Sequence, residues 1–295
     1  MFGPSQLILG VEANPHMFTS RIIVNGTAED SVAALDRGLH YGDGLFETLA
    51  ILDGAPQHWD SHIERLERGC SRLYLPSPQR DRLLVDAKRL CRGVKRGVLK
   101  IILTRGAGGR GYRPSSPGSL TRVVMSFPWP ELPPQVGEWV TVRLCDTRLG
   151  LNPALAGIKH LNRLEQVLAQ REWAEPDIAE GLMRDLEGNV IEGTMSNLFI
   201  VLDGRLITPD LNRCGVAGIM RAFVLATAQE LGIEVVIAPL GVADLLRATE
   251  AFLCNSLIGL WSIRAVVDLD MSFNGDRALT AKVLLALVNK GILPR

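Results

Sequence analysis

The feature that most constrains the fold is a proline-rich stretch near the middle of the chain, FPWPELPPQ at residues 127–135, which holds four of the 16 prolines. Proline lacks a backbone N–H and its ring crowds the preceding turn, so this stretch continues neither a helix nor a central strand. A chain of 295 residues is long enough for two domains. We therefore predict a small α/β domain over residues 17–127, a linker over 128–135 and a larger domain over 136–295. Residues 1–16 are expected to form a flexible extension.

The first half shows strand and helix patterns in succession. RIIV and LFETLAIL are short β-rich runs that end at Asn25-Gly26 and Asp53-Gly54, which are typical hairpin turns. The next segment, DSHIERLERGCSRLYL, has helical periodicity, and Ser61 and Glu64 fit a capping box at its start. A second helix is predicted from the low 80s to about Arg92, followed by the strand GVLKIILTR.

In the second half, hydrophobic periodicity predicts a helix over residues 159–175, KHLNRLEQVLAQREWAE. A run of antiparallel strands is predicted after it. A further helix is predicted from about Ala217 to Glu230, with Gly232 as its C-terminal cap. Helices and strands mix in both halves, so the fold class is α/β (α+β).

The charge balance narrows the function. The 32 basic and 32 acidic residues cancel, which argues against nucleic-acid binding by phosphate neutralisation and against a polybasic membrane anchor. The five cysteines form no CxxC pair and the five histidines no HExxH motif, so no metal site of cysteines or histidines is predicted, and only a carboxylate site stays open. The N-terminal residues lack a signal-peptide pattern, and we expect a cytoplasmic protein.

One glycine motif is set aside on its context. Residues 106–111, GAGGRG, match GxGxxG and follow a predicted strand, but a dinucleotide-binding fingerprint must open a helix. Here Pro114 and Pro117 come next, so we predict a glycine loop instead. The arginines and the tyrosine of this loop could still close over an anionic substrate.

Four features together fit one cofactor, although each is weak alone. Lys159 is the only lysine between Lys100 and Lys282, and a lysine in apolar surroundings can form a Schiff base. Glu192 is a candidate acid for a protonated ring nitrogen, and Arg65 a candidate phosphate ligand. The segment GVAGIMR, residues 215–221, brings glycines to a helix start that can bind an anion. A lysine, an acid, an arginine and a helix start are what pyridoxal 5'-phosphate requires.

The motifs LDRGLHYGDGLFET, HIERL, LAGIKHLNRLEQ, EGTMSNLF and GVAGIMR, in this order, resemble those of the fold-type IV pyridoxal-phosphate enzymes. That family includes branched-chain aminotransferases, D-amino-acid aminotransferases and aminodeoxychorismate lyases. The GGRGY loop at residues 108–112 and the segment GIKHLNRLEQVLA are similar to those of the lyases in particular. Where the aminotransferases usually have a tyrosine shortly after the lysine, this chain has Asn162, Arg163 and Leu164. The resemblance covers residues from about 25 to the late 250s and implies a small α/β domain beside a larger barrel-like domain.

The resemblance also implies roles for individual residues. Lys159 would hold the cofactor as a Schiff base and transfer protons, with Glu192 at the pyridine nitrogen and Arg65 at the phosphate. Backbone groups of Ile219 and Met220 would complete the phosphate site at Gly218, Asn255 and Ser256 would lie on its other side, and Asn197 would support it.

The activity implied by the resemblance is the conversion of 4-amino-4-deoxychorismate to 4-aminobenzoate and pyruvate in folate synthesis. Arg110 and Arg148, with Tyr112, are candidates for binding this substrate, which carries two carboxylates, and Thr48 is a candidate for protonating the leaving oxygen. Members of the family are usually homodimers, so we expect a homodimer.

Two alternatives remain open from the sequence. A D-amino-acid or branched-chain aminotransferase on the same fold would use the same Lys159, Glu192 and Arg65. A cofactor-free binding protein is the second alternative, and the presence of these three residues together argues against it.

Overall fold

The computed structural model describes residues 21–114, 120–130, 138–275 and 277–293. The predicted extension over residues 1–16 and most of the predicted linker lie outside the described residues. The domain boundaries therefore stay a prediction.

A five-stranded antiparallel sheet in the order β1-β5-β4-β2-β3 organises the first half. Its strands are β1 (Arg21–Val24), β2 (Gly44–Leu52), β3 (Ala55–Pro56), β4 (Arg96–Thr104) and β5 (Thr121–Pro128). Its helices are α1 (Arg37–Tyr41), α2 (Trp59–Arg72) and α3 (Arg80–Cys91). Apolar residues of the sheet and of α2 and α3 form one core, in which Leu49, Ile63 and Leu83 are fully buried.

The two predicted hairpin turns are confirmed. Asn25, Gly26, Asp53 and Gly54 all have positive φ, which primed turns require and which asparagine, aspartate and glycine adopt most readily. The predicted capping box is wrong, because α2 begins at Trp59 and not after Ser61. Trp59 packs against the core of the small sheet, and this burial extends the helix beyond its local signal.

A nine-stranded sheet occupies the second half, in the order β11-β10-β9-β12-β13-β6-β7-β8 with β14 beside β13. Its strands are β6 (Trp139–Leu149), β7 (Ile178–Asp185), β8 (Val190–Gly193), β9 (Asn197–Leu202), β10 (Arg205–Pro209), β11 (Val235–Ala238), β12 (Glu250–Asn255), β13 (Gly259–Val266) and β14 (Met271–Ser272). The helices are α4 (Leu164–Ala169), α5 (Ile219–Glu230), α6 (Val242–Arg247) and α7 (Ala278–Asn289). Glu192 of β8 also pairs with Asn197 of β9, which closes six of the strands into a barrel.

Strand β9 shows why its sequence is continuously apolar. Leu198 and Ile200 point into the core inside the barrel, whereas Phe199 and Val201 point outward to the core beneath α5 and α7. A strand covered on both faces needs apolar residues at every position instead of alternation. The predicted α/β class is confirmed.

The helix predicted over residues 159–175 is largely wrong, since α4 spans only Leu164–Ala169. Residues 157–161, before α4, pair instead with β2 of the small sheet and with the segment before α5. After α4, the Glu172 carboxylate accepts hydrogen bonds from the backbone N–H groups of Asp146 and Thr147 at 2.7 and 2.8 Å. Tertiary hydrogen bonds on both sides thus outweigh the local helical pattern.

Within the described ranges, no helix has both the length and the apolar character needed to span a membrane. In the same residues, no three histidine, cysteine, aspartate or glutamate side chains come together as a metal site. All five cysteines are buried and unpaired.

Candidate functional site

A cavity of about 500 Å³ lies between β2 of the small sheet, the segment before α4, and the barrel at β8, β9 and the start of α5. We call it the site cavity. Nine of the predicted site residues line it: Thr48, Arg65, Lys159, Glu192, Asn197, Gly218, Ile219, Asn255 and Ser256. Residues more than 200 positions apart in the chain are thus brought to one place.

Lys159 owes its position to strand-like pairing with β2. The backbone N–H of Phe46 donates to the Lys159 carbonyl at 3.0 Å, and the N–H of Leu161 donates to the Gly44 carbonyl at 3.0 Å. On its other side the segment pairs with the residues just before α5, through Gly157 and Val216. The lysine therefore sits on a fixed, extended backbone between the two sheets.

The surroundings of Lys159 increase the fraction of its amine that is neutral. Its Nζ lies 4.3 Å from the centre of the Phe46 ring. Burial, reinforced by the positive charge of Arg65, lowers the pKa of Lys159 to about 8. An amine with this pKa is partly unprotonated near neutral pH, which is the form that reacts with an aldehyde or takes up a proton.

Glu192 lies buried across the same cavity. Its Oε2 accepts hydrogen bonds from the Val216 N–H at 2.9 Å and from Asn197 Nδ2 at 3.3 Å. Burial raises the pKa of Glu192 to about 7, against the opposing effect of the Val216 N–H and the positive charges nearby. A protonated ring nitrogen is the kind of partner that would keep this carboxylate charged.

Arg65 is held by a buried carboxylate on β2. Its Nε and Nη2 donate to Oε1 and Oε2 of Glu47 at 2.8 and 2.5 Å, and Glu47 Oε2 is also 2.6 Å from His62 Nδ1. Burial alone would raise the pKa of Glu47, but the charge and hydrogen bonds of Arg65 together with His62 lower it to about 2. The network continues from His62 Nε2 to Ser256 Oγ at 3.2 Å. The guanidinium is therefore fixed at the cavity by a charged partner behind it.

The start of α5 meets this guanidinium. Arg65 Nη1 donates to the Ala217 carbonyl at 3.0 Å, two residues before the helix begins at Ile219. Gly218 provides no side-chain cap, and the first N–H groups of a helix have no partner within the helix. An arginine beside free helix amides forms an anion site, and a phosphate fits it.

Gly218 also has a steric requirement. Its N–H donates to Asn197 Oδ1 at 3.1 Å, and a Cβ at this position would lie only 2.1 Å from that oxygen. Asn197 in turn donates to Glu192 and to the Val216 carbonyl at 2.8 Å. The Asn197 side-chain amide thus links Glu192 on β8 to the start of α5.

A second buried acid, Glu180 on β7, holds the loop between β8 and β9. Its carboxylate accepts hydrogen bonds from Thr194, Met195 and Ser196. Burial raises the pKa of Glu180, and these donors oppose the rise. The carboxylate fixes the backbone beside Glu192.

Two other predicted residues line the cavity in different ways. Thr48 projects from the cavity face of β2, two residues beyond Phe46, as strand alternation requires. Asn255 uses its Oδ1 to accept from the N–H groups of Leu257 and Ile258 at 2.8 and 2.9 Å, so its side chain stabilises a turn.

Four predicted site residues do not line the site cavity. The Met220 side chain lies in the core beneath α5, so only its backbone is near the helix start. Arg110 is exposed and the Tyr112 ring is 85% exposed, while Arg148 lies on β6 opposite Arg184. The structure gives none of these three side chains a place in the cavity, and their predicted role in substrate binding stays a prediction.

The glycine loop does not open a helix within the described residues up to 114. It is held against α1 instead, where Arg37 donates from Nη1 to the Gly111 carbonyl at 2.8 Å and from Nη2 to the Tyr112 carbonyl at 2.7 Å. This local geometry is that of a loop and not of a dinucleotide-binding turn.

Sequence reasoning missed Glu47, His62 and Arg163. The first two had a signal, since Glu47 is the only acid in the apolar strand LFETLAIL, and His62 shares a helix face with Arg65 at a spacing of three. Arg163 was noted as a departure from the aminotransferases but was given no role. It lines the site cavity.

The sequence and the fold are both similar to those of known enzymes. The model of the family Amino-transferase class IV matches residues 44–266. An aminodeoxychorismate lyase from Vibrio harveyi is 39% identical over 250 residues, covering 82% of this chain and 90% of the relative. A putative branched-chain-amino-acid aminotransferase from Methanocaldococcus jannaschii is 34% identical over 249 residues, covering 80% and 84%.

Among solved structures, the fold is similar to that of 4-amino-4-deoxychorismate lyase from Pseudomonas aeruginosa. The TM-score is 0.84 at 44% sequence identity, and the match covers 91% of this chain and 98% of the other. The barrel joined to a small α/β sheet is therefore the fold of this group of enzymes.

Proposed function

This chain belongs to the Amino-transferase class IV family, and on that premise we propose that it is a pyridoxal-phosphate-dependent lyase that converts 4-amino-4-deoxychorismate to 4-aminobenzoate and pyruvate. The observation that carries the proposal is the joint placement of Lys159 and Glu192 in one cavity with Arg65 at a helix start. The similarity to two lyases, from Vibrio harveyi and Pseudomonas aeruginosa, supports this reaction over others of the family.

The residues of the site cavity fit the cofactor. Arg65 and the first N–H groups of α5 would hold its phosphate, Glu192 would accept a hydrogen bond from its ring nitrogen, and Lys159 would hold its aldehyde. When bound, pyridoxal phosphate would supply an aldehyde for the substrate amine and a ring that withdraws electrons from the amine-bearing carbon.

Lys159 is the residue best placed to move the proton. Its neutral Nζ, favoured by burial and by the charge of Arg65, can accept the proton from the amine-bearing carbon of the substrate. Thr48 lines the same cavity and is our candidate for donating a proton to the departing oxygen. Loss of the enolpyruvyl group as pyruvate leaves an aromatic ring, so the main tasks of the protein are to orient the substrate and to position the proton.

An aminotransferase is the second candidate, and the relative from Methanocaldococcus jannaschii favours it. Lys159, Glu192 and Arg65 would serve both reactions. The two differ in outcome, because a lyase releases pyruvate from one substrate, whereas an aminotransferase needs an amino acid and an oxo acid.

The test offers aminodeoxychorismate to the cofactor-loaded protein and measures pyruvate, beside a D-alanine transamination assay. We expect pyruvate release in the first assay and little exchange in the second. Lys159→Ala should abolish both turnover and covalent retention of the cofactor after borohydride reduction. Exchange without pyruvate release would favour the aminotransferase, and full turnover by Lys159→Ala would contradict the mechanism.

We further propose that the enzyme acts in folate synthesis as a cytoplasmic homodimer. The exposed apolar side chains Leu164, Val167 and Leu168 on α4, of which Val167 lines the site cavity, support an interface there. The five unpaired cysteines fit a reducing compartment. Sedimentation equilibrium of the wild type and of Leu168→Glu tests the dimer.

A further inference from the structure

Arg163 is a cation of the site cavity that the cofactor does not require. Its Nε donates to the His160 carbonyl at 2.8 Å and its Nη2 to the Ile158 carbonyl at 3.4 Å. It forms no ion pair with any residue in the described part of the chain, and its Nη1 has no partner there. The guanidinium is therefore anchored by backbone groups while part of its donor edge stays free.

The contrast with Arg65 is informative. Arg65 also lines the cavity, but its Nε and Nη2 each donate to the Glu47 carboxylate. A partly buried arginine without a carboxylate partner is costly unless an anion completes it. Arg163 lines the same cavity as Lys159 and Glu192, so its guanidinium shares this cavity with the reacting end of the site.

Gln166 adds a second, independent observation. It lies one helical turn after Arg163 at the start of α4, lines the same cavity and is only 9% exposed. Its Oε1 is buried and meets no donor among the described residues. The other end of the amide, Nε2, is accessible and has no hydrogen-bond partner among the described residues, so its N–H₂ group can donate to an anion in the cavity.

We infer that Arg163 and Gln166 form a subsite for a carboxylate of the substrate. This inference rests on the proposed function and deepens it, because the substrate carries one carboxylate on its ring and one on its enolpyruvyl group. Arg110 and Arg148 were predicted for this role from the sequence, but neither side chain lines the cavity. A guanidinium and an amide can donate side by side to a planar anion, and a carboxylate is such an anion.

The experiment compares amines with and without a carboxylate as competitive ligands of the cofactor-loaded enzyme. The first pair, 4-aminobenzoate and aniline, tests the ring carboxylate. The second pair, 2-aminophenoxyacetate and 2-methoxyaniline, tests a carboxylate carried on an ether next to the amine. For each pair the ratio of dissociation constants measures the preference for the carboxylate.

We expect the wild type to prefer the carboxylate in at least one pair by about tenfold or more, and Arg163→Gln to remove that preference. Arg163→Lys should retain part of it, since the charge remains but the fork is lost. Gln166→Glu should weaken carboxylate binding by repulsion. Arg171→Gln, which removes an exposed arginine outside the cavity, is the matched control and should change neither ratio.

Unchanged ratios in Arg163→Gln for both pairs would overturn the inference. So would a variant that loses cofactor affinity or shifts the cofactor's visible absorbance while keeping its carboxylate preference, because Arg163 would then act on the cofactor. If the wild type releases no pyruvate from aminodeoxychorismate but shows the Arg163-dependent preference, the proposed function fails and the subsite stands.

Discussion

Replacing Glu47 by glutamine tests the buried network behind the site cavity. Glu47 is fully buried on β2, and Arg65 and His62 lower its pKa to about 2 from 4.5. Such a difference in pKa between the folded and unfolded states corresponds to about 3 kcal/mol of stability at neutral pH. Breaking a buried ion pair from one side has a cost of about 3–5 kcal/mol, which agrees.

The sign of the pH dependence follows from the lowered pKa. The contribution of Glu47 to the free energy of unfolding is fully present above pH 4.5. It is lost as the pH falls toward 2, because the carboxyl is protonated in the unfolded chain before it is protonated in the folded protein. The Glu47→Gln variant has no carboxylate at this position, so its stability does not change with this titration. We therefore expect the variant to be about 3 kcal/mol less stable at pH 7 and this gap to narrow as the pH falls below 4.5.

Urea unfolding of the cofactor-loaded protein, followed by circular dichroism from pH 7 to pH 3, measures both effects. Asp60→Asn is the matched control, since Asp60 pairs with Arg80 at 2.5 Å but its side chain is 80% exposed. Solvent screens such a pair, so this variant should change stability little. A Glu47→Gln protein as stable as the wild type at pH 7, or a gap that does not vary with pH, would refute the reasoning.

Three further outcomes are expected. Glu192→Gln should keep the circular dichroism spectrum but lower kcat by about 100-fold, because the ring nitrogen loses a charged partner. An unchanged kcat would show that Glu192 is not the partner of the ring nitrogen. Gly218→Ala should raise the dissociation constant for pyridoxal phosphate, since the new Cβ would lie 2.1 Å from Asn197 Oδ1, whereas Gly275→Ala, with nothing within 4 Å of its Cβ, should bind normally. The rate of cofactor attachment to the apo-protein should rise with pH through about 8, where half of the Lys159 amine is neutral, and level off at higher pH; a flat profile from pH 6 to 9 would contradict this.

Much of the architecture could be predicted from local patterns. The turns at Asn25-Gly26 and Asp53-Gly54 follow from residues that tolerate positive φ. The helix α5 was predicted to within two residues. These features depend on neighbours in the chain, which is what a sequence displays.

The extended segment around Lys159 could not be predicted in this way. Its residues have helical periodicity, but their backbone groups pair with β2 and with the segment before α5. Likewise, the choice of Arg163 over Arg110 as the cavity arginine depends on which side chains the two sheets enclose.

The sequence by itself determined which residue types the chain offers: one isolated lysine, an acid before an apolar strand, an arginine on an amphipathic helix and a glycine-led helix start. Only the tertiary structure decided that Glu47 pairs with Arg65 and fixes its guanidinium, that Lys159 is desolvated and that Arg163 keeps free donors. The physical reason is that charge, burial and hydrogen-bond partners in this site come from residues far apart in the chain, and their distances exist only once the two sheets have packed together.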